Sequence, residues 1–143
     1  MQNFNKGLII TSVDHSAAKS MLKRFFEEEC SDKKIFNLYP RHKFGQLYLS
    51  GCPKDVEIIT IDIPKTESLD LFYQLIGFQQ LWINSKGLEP FSIQCSQFKF
   101  VATAEVSSLY SVTQSTARRF DFMSVSDCDY NSFSKILRPF IEQ

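Results

Sequence analysis

Residues 56–63, Val-Glu-Ile-Ile-Thr-Ile-Asp-Ile, are the most strand-committed stretch of the chain, and Pro64 closes it. Four isoleucines and a valine stand there, and β-branched side chains of this kind pack well on a pleated, half-buried surface. Proline cannot donate to a ladder, so the strand is expected to end before it. Residues 7–11, Gly-Leu-Ile-Ile-Thr, are a second apolar run of the kind a buried strand shows. Two such strands demand cover, and the intervening sequence supplies it.

After a polar, turn-like stretch at Ser12–Ser16, the apolar positions Met21, Leu22, Phe25 and Phe26 follow helical spacing from Ala17 to near Cys30. Ile35 to Tyr39 and Leu47 to Leu49 read as two short strands around Arg41-His42-Lys43. Leu69, Phe72, Tyr73, Leu75 and Ile76 suggest a second helix. Trp82-Ile83-Asn84 and Phe91-Ser92-Ile93 flank Ser85-Lys86-Gly87, which predicts a β-hairpin with Lys86 near its tip. Strands follow at 98–103 and 119–125, and Phe133, Ile136, Leu137 and Phe140 make a closing amphipathic helix capped near Asp129 or Asn131. Strands that alternate with helices in this way favour an α/β sheet with helices on its faces. At 143 residues, with no repeat and no linker rich in Pro, Gly or Ser, the expectation is a single domain over 1–143.

Composition removes whole classes of function. Sixteen basic residues cancel sixteen acidic ones, which argues against a uniformly basic nucleic-acid binder while leaving room for a local basic patch. No apolar run is long enough to cross a bilayer and residues 1–6 lack the pattern of a secretory signal, so a soluble, cytoplasmic protein with no membrane partner is expected. Cys30, Cys52, Cys95 and Cys128 show no CxxC spacing, and His15 and His42 are isolated. A closed zinc site is therefore not expected, and free, mostly buried thiols are.

Four places carry possible chemistry. In residues 8–20, LIITSVDHSAAKS, a strand leads to Lys19-Ser20. A phosphate-binding loop needs this order, with Lys reaching the phosphates and the hydroxyl ligating magnesium, but Val13 and Ala18 hold the two glycine positions. Asp62 ends an apolar strand, where a carboxylate can hold magnesium or simply form a turn. Lys86 can meet a phosphate backbone or be a solvated turn lysine. Arg118 and Arg119 precede a strand, as nucleotide-sensing fingers or as surface ion-pair partners.

Taken in order, IITIDIPK (58–65), INSKGLEPF (83–91), FKFVATAE (98–105) and ARRFDF (117–122) make the chain resemble the ATPase domain of superfamily 3 viral helicases, within the AAA+ group. The similarity is nearest to replication-initiator proteins of small circular single-stranded DNA viruses and covers nearly the whole chain. The resemblance implies a P-loop NTPase-like sheet, ATP and Mg2+ as ligands, Lys19 and Ser20 as nucleotide-binding residues, and Asp62 and Arg119 as catalytic ones. It also implies a channel-facing, nucleic-acid-binding Lys86, and a homo-oligomer in which the arginine reaches a neighbour's nucleotide. The missing glycines, with Ala104 or Glu105 where a polar sensor is expected, describe a degenerate nucleotide site. The expectation is a helicase-like binding or assembly module in nucleic-acid replication rather than an active motor.

Two other functions stand beside it. One is a protein-interaction adaptor that binds neither nucleotide nor nucleic acid. The other is a single-strand nucleic-acid binder, because no acidic residue interrupts 33–54, where Lys33, Lys34, Arg41, His42, Lys43 and Lys54 mix with Phe36, Tyr39 and Phe44.

Overall fold

A computed structural model describes residues 7–12, 15–38, 49–63, 72, 74–77, 79–105, 118–125 and 129–142. Their order is β1 (Gly7–Ser12), α1 (His15–Glu29), β2 (Ile35–Asn37), β3 (Ile58–Asp62), the single turn α2 (Gln74–Gly77), β4 (Gln80–Ile83), β5 (Phe91–Gln94), β6 (Lys99–Glu105), β7 (Phe120–Ser124) and α3 (Tyr130–Glu142). Five strands form one sheet in the order β2-β3-β6-β1-β7, and each pairing in it is parallel. β4 and β5 form a separate antiparallel hairpin. The protein is therefore mixed α/β, with a parallel sheet flanked by helices.

The all-apolar strands are explained by burial on both faces. Along β1, Leu8 and Ile10 face one core with Val101, Leu22, Phe25 and Phe133, while Ile9 faces the other with Ile59, Phe100 and Phe120. Helices α1 and α3 cover the first face, and α2 and the hairpin cover the second. Gly7 opens β1 because nothing larger fits. A Cβ there would come within 2.8 Å of the Phe120 ring and 2.9 Å of the Phe100 ring.

Helix α1 begins at His15, two residues earlier than its apolar spacing suggests, because polar residues such as Ser16 suit a first helical turn. It ends at Glu29, next to Cys30 as expected. Of the expected pair of short strands, only β2 is a strand among the described residues. It pairs with β3 in parallel. Leu49 lies in no regular element and accepts from Cys52 N–H at 3.1 Å, while 47–48 lie outside the described residues. The second helix is reduced to α2, beside the buried Phe72, with 69–71 and Tyr73 outside the described residues. The hairpin turn is closed by Leu88 N–H donating to Ser85 C=O at 3.1 Å, with Gly87 at φ +82°. Only glycine takes that conformation cheaply in a turn of this type. Helix α3 starts at an Asp129 cap, whose Oδ1 accepts from Ser132 N–H at 2.8 Å.

Candidate functional site at the C-terminal edge of the sheet

In a parallel α/β sheet the strand C-termini share one edge, and ligands bind in crevices beyond it. Here β1 and β3 lie on either side of β6, so the residues that follow β1 and those that end β3 meet above one shared strand. α1 leaves the end of β1 and packs over β1 and β6. That places Lys19, in its second turn, beside Asp62 at the end of β3, with Nζ to Oδ2 at 3.2 Å.

Thr103 sets the other side of the carboxylate. Parallel register puts it opposite Asp62, and its hydroxyl donates to Asp62 Oδ1 at 2.8 Å. Thr103 is buried, while the Lys19 and Asp62 side chains are 53% and 39% exposed. The pair is therefore solvated on one side and pinned on the other. Below it opens a cleft of about 390 Å3, with Leu22, Phe26, Ile35 and Ile61 among its apolar lining. Lys19, Lys23, Glu27 and Asp62 are its charged residues, together with Asn37, Thr60 and Thr103 as polar ones.

A single carboxylate is a contribution from the protein of the size Mg2+ takes, because the ion keeps its waters and draws further oxygens from bound phosphates. Asp62, with Thr103 behind it, would supply that carboxylate, and Lys19 would supply the phosphate cation. The backbone is less suited. A helix leaves open only the N–H groups of its first positions, so with α1 starting at His15 those of Lys19 and Ser20 belong to the helix ladder. Two residues separate β1 from α1, in place of a longer glycine loop that could wrap a phosphate.

The other expected site residues lie elsewhere. Ser20 is exposed on α1 beside Lys19. Lys86 is exposed at the hairpin turn, whose base is tied to the 49–52 turn by Gly51 N–H donating to Ser85 Oγ at 3.0 Å. Arg119 C=O accepts from Gly7 N–H at 3.1 Å, which fixes it at the N-terminal edge of the sheet. A strand rises roughly 3.3 Å per residue, so that edge is roughly 15–20 Å from Asp62. Arg119 and Asp62 are not neighbours within one chain. Arg41 and Lys43 lie outside the described residues.

Thiol chemistry finds no support at the described positions. Cys30, Cys52 and Cys95 are buried, and burial pushes the Cys52 and Cys95 thiols up to about 11. Cys128 lies outside the described residues. Among the described residues no group of three or more His, Cys, Asp or Glu side chains is placed to hold a metal ion, and no helix is long and apolar enough to cross a membrane.

No family model and no curated protein matches the chain. Among solved structures it is similar to the A form apo structure of the NrS-1 C-terminal region, with a TM-score of 0.52 and 16% identity over 95% of this chain. The chain spans about a third of that neighbour, 34% of its length. At this identity the likeness concerns the fold: a parallel α/β sheet flanked by helices.

Proposed function

We propose that this chain is a P-loop-like, AAA+ helicase-related domain that has lost most of its nucleotide chemistry and serves as a binding or assembly module in nucleic-acid replication. The observation that carries the proposal is the meeting of Lys19 and Asp62 above β6. Residues 43 positions apart, each singled out by its place after an apolar strand, come together at the one edge where such sheets bind ligands. The Lys86 hairpin, inserted between β3 and β6, agrees with the helicase-like order of elements. Lys19 would neutralise a phosphate and Asp62 would hold its magnesium. With the glycine loop gone, binding is expected to be weak and hydrolysis slow or absent.

Arg119 has a role in this proposal only between copies of the chain, since it sits at the edge opposite Asp62. A homo-oligomer would present it to a neighbour's nucleotide.

The test is the thermal midpoint with ATP and Mg2+. A ligand present at 100 times its Kd stabilises a protein by about 2.7 kcal/mol, a readily measured rise. The wild type should show a rise that Lys19→Ala abolishes. No rise at millimolar ATP would sink the nucleotide part of the proposal. A second function, single-strand nucleic-acid binding, is favoured by the hairpin itself. Trp82 is 61% exposed on its outer face and Lys86 is exposed at its turn, a stacking surface beside a phosphate contact. Salt-sensitive binding weakened in Trp82→Ala would support it.

A further inference from the structure

Trp82 is the chain's single tryptophan, and the fold leaves it exposed on the β4–β5 hairpin. Tryptophan is largely buried in most proteins, so one on an outer face suits a contact surface. The hairpin register shows what surrounds it. Trp82 lies opposite Ser92, and two residues back along the same face Gln80 lies opposite Gln94. Leu81, Ile83 and Ile93 take the inward side, so Gln80, Trp82 and Gln94 share the outer one and are exposed. No charged side chain stands on that face among the described residues. Charges begin at the turn, where Lys86 and Glu89 are exposed.

These neighbours decide the kind of ligand. A face with an aromatic ring and amides but no cation cannot grip a phosphate backbone, and Lys86 supplies a single contact of that sort. The face suits the flat ring and the polar edge of a nucleobase instead. Its two rows of side chains are roughly 7 Å apart, two residues along a strand. A purine stacked on the indole is long enough to bring its edge to the glutamine row, whereas a one-ring pyrimidine falls short. A glutamine amide offers a donor beside an acceptor, which matches N7 and the 6-amino group of adenine. Guanine shows two acceptors on that edge and matches less well.

We propose that the Gln80–Trp82–Gln94 face reads bases and binds single-stranded nucleic acid with a preference for adenine. The inference rests on the single-strand reading of the hairpin above and adds what the hairpin recognises. Trp82 is the stacking platform, and Gln80 and Gln94 make the edge contacts. Lys86 adds a phosphate contact that carries no sequence information.

The single tryptophan is its own reporter, because a base stacked on the indole quenches its fluorescence. The full chain is titrated with (dA)12, (dT)12 and d(GT)6 at one salt concentration, and with the neutral sugar cellohexaose. The wild type should bind (dA)12 about tenfold tighter than the other two oligonucleotides. A double variant, Gln80→Ala with Gln94→Ala, should lose about tenfold on (dA)12 and less than about twofold on (dT)12. Both residues are exposed, and circular dichroism checks that the variant folds. If it does not, the single variants serve, each with a loss of about threefold on (dA)12. Equal affinity for (dA)12 and (dT)12 would overturn base reading while leaving a single-strand binder in place. A preference for (dA)12 that survives the glutamine changes would overturn it too. A response to cellohexaose with none to any oligonucleotide would make the face a sugar site and overturn both readings of the hairpin. No response to any of the four would also overturn both.

Discussion

The protein builds the same trio of groups twice and uses them differently. At the seam between α1 and α3, Glu29 accepts from the Ser134 hydroxyl at 2.8 Å and from Arg138 through both Nε and Nη2, the shorter contact being 2.7 Å. At the sheet edge, Asp62 accepts from the Thr103 hydroxyl at 2.8 Å and faces Lys19 at 3.2 Å. Each is a carboxylate held by a hydroxyl and a cation. The cations differ. Arginine offers a planar fork that fixes both oxygens of a carboxylate, whereas the ammonium of lysine is a compact charge that trades partners easily. The surroundings differ as well. The seam lies beside Phe133, which is fully buried and meets Phe25 edge-on at 6.3 Å, and its Glu29 and Arg138 line a cleft of about 290 Å3, while the edge pair lines one of about 390 Å3 at the strand C-termini. One trio ties two helices together through a fork, and the other holds a helix to a strand end through a single ammonium.

The largest effect should come from the packing beside the seam trio. Phe133 has no exposed surface, and its loss would leave a cavity between α3, α1 and the sheet. Removal of a buried phenylalanine typically costs about 3–5 kcal/mol, so Phe133→Ala should lower stability by that order in urea unfolding. A cost below about 1 kcal/mol would mean that α3 is not part of the same cooperative core, and the contrast between seam and edge would fail.

Much of this architecture could be read locally. The β3 strand, the turn at Ser85–Leu88 and the end of α1 next to Cys30 each follow from a few adjacent residues whose period or turn chemistry is decisive. Asp62 and Lys19 were visible for the same reason, since one ends an apolar strand and the other opens the helix that follows one. Thr103 was not. Its partner is 41 residues away, and only the β3–β6 register brings the two together. The same holds for Glu29, which finds Ser134 across 105 residues and Arg138 across 109. A threonine or serine in an amphipathic stretch carries no mark of such a role. β2 was legible as a strand but not in its pairing, because three residues cannot say whether a neighbour runs parallel or antiparallel.

Acid should open the seam by a route that can be followed. The Arg138 hydrogen bond, followed by that of Ser134, holds the Glu29 carboxyl below its ordinary value of 4.5. A lowered folded-state value means that the unfolded chain binds the proton more readily. The stabilisation is therefore complete above 4.5 and is lost as the pH falls through the lowered value. Asp129 shifts the same way from 3.8, through the Ser132 backbone hydrogen bond, and adds to the same limb. The thermal midpoint should accordingly drop more steeply below pH 4.5 in wild type than in Glu29→Gln. Parallel acid limbs would show that the seam ion pair contributes nothing to folding.

The smallest effect on stability should be at the site itself, and that smallness is informative. Exposed ion pairs contribute about 0–1 kcal/mol, because water screens them and ordering a long side chain offsets the attraction. With the two side chains 53% and 39% exposed, Lys19→Ala should lie within about 1 kcal/mol of wild type in urea unfolding. A cost that small is what the proposal requires of a residue that serves the cleft rather than the core. A loss of several kcal/mol would contradict it. It would make Lys19 a structural clamp between α1 and β3, and the two trios would then differ only in which pair of elements they hold.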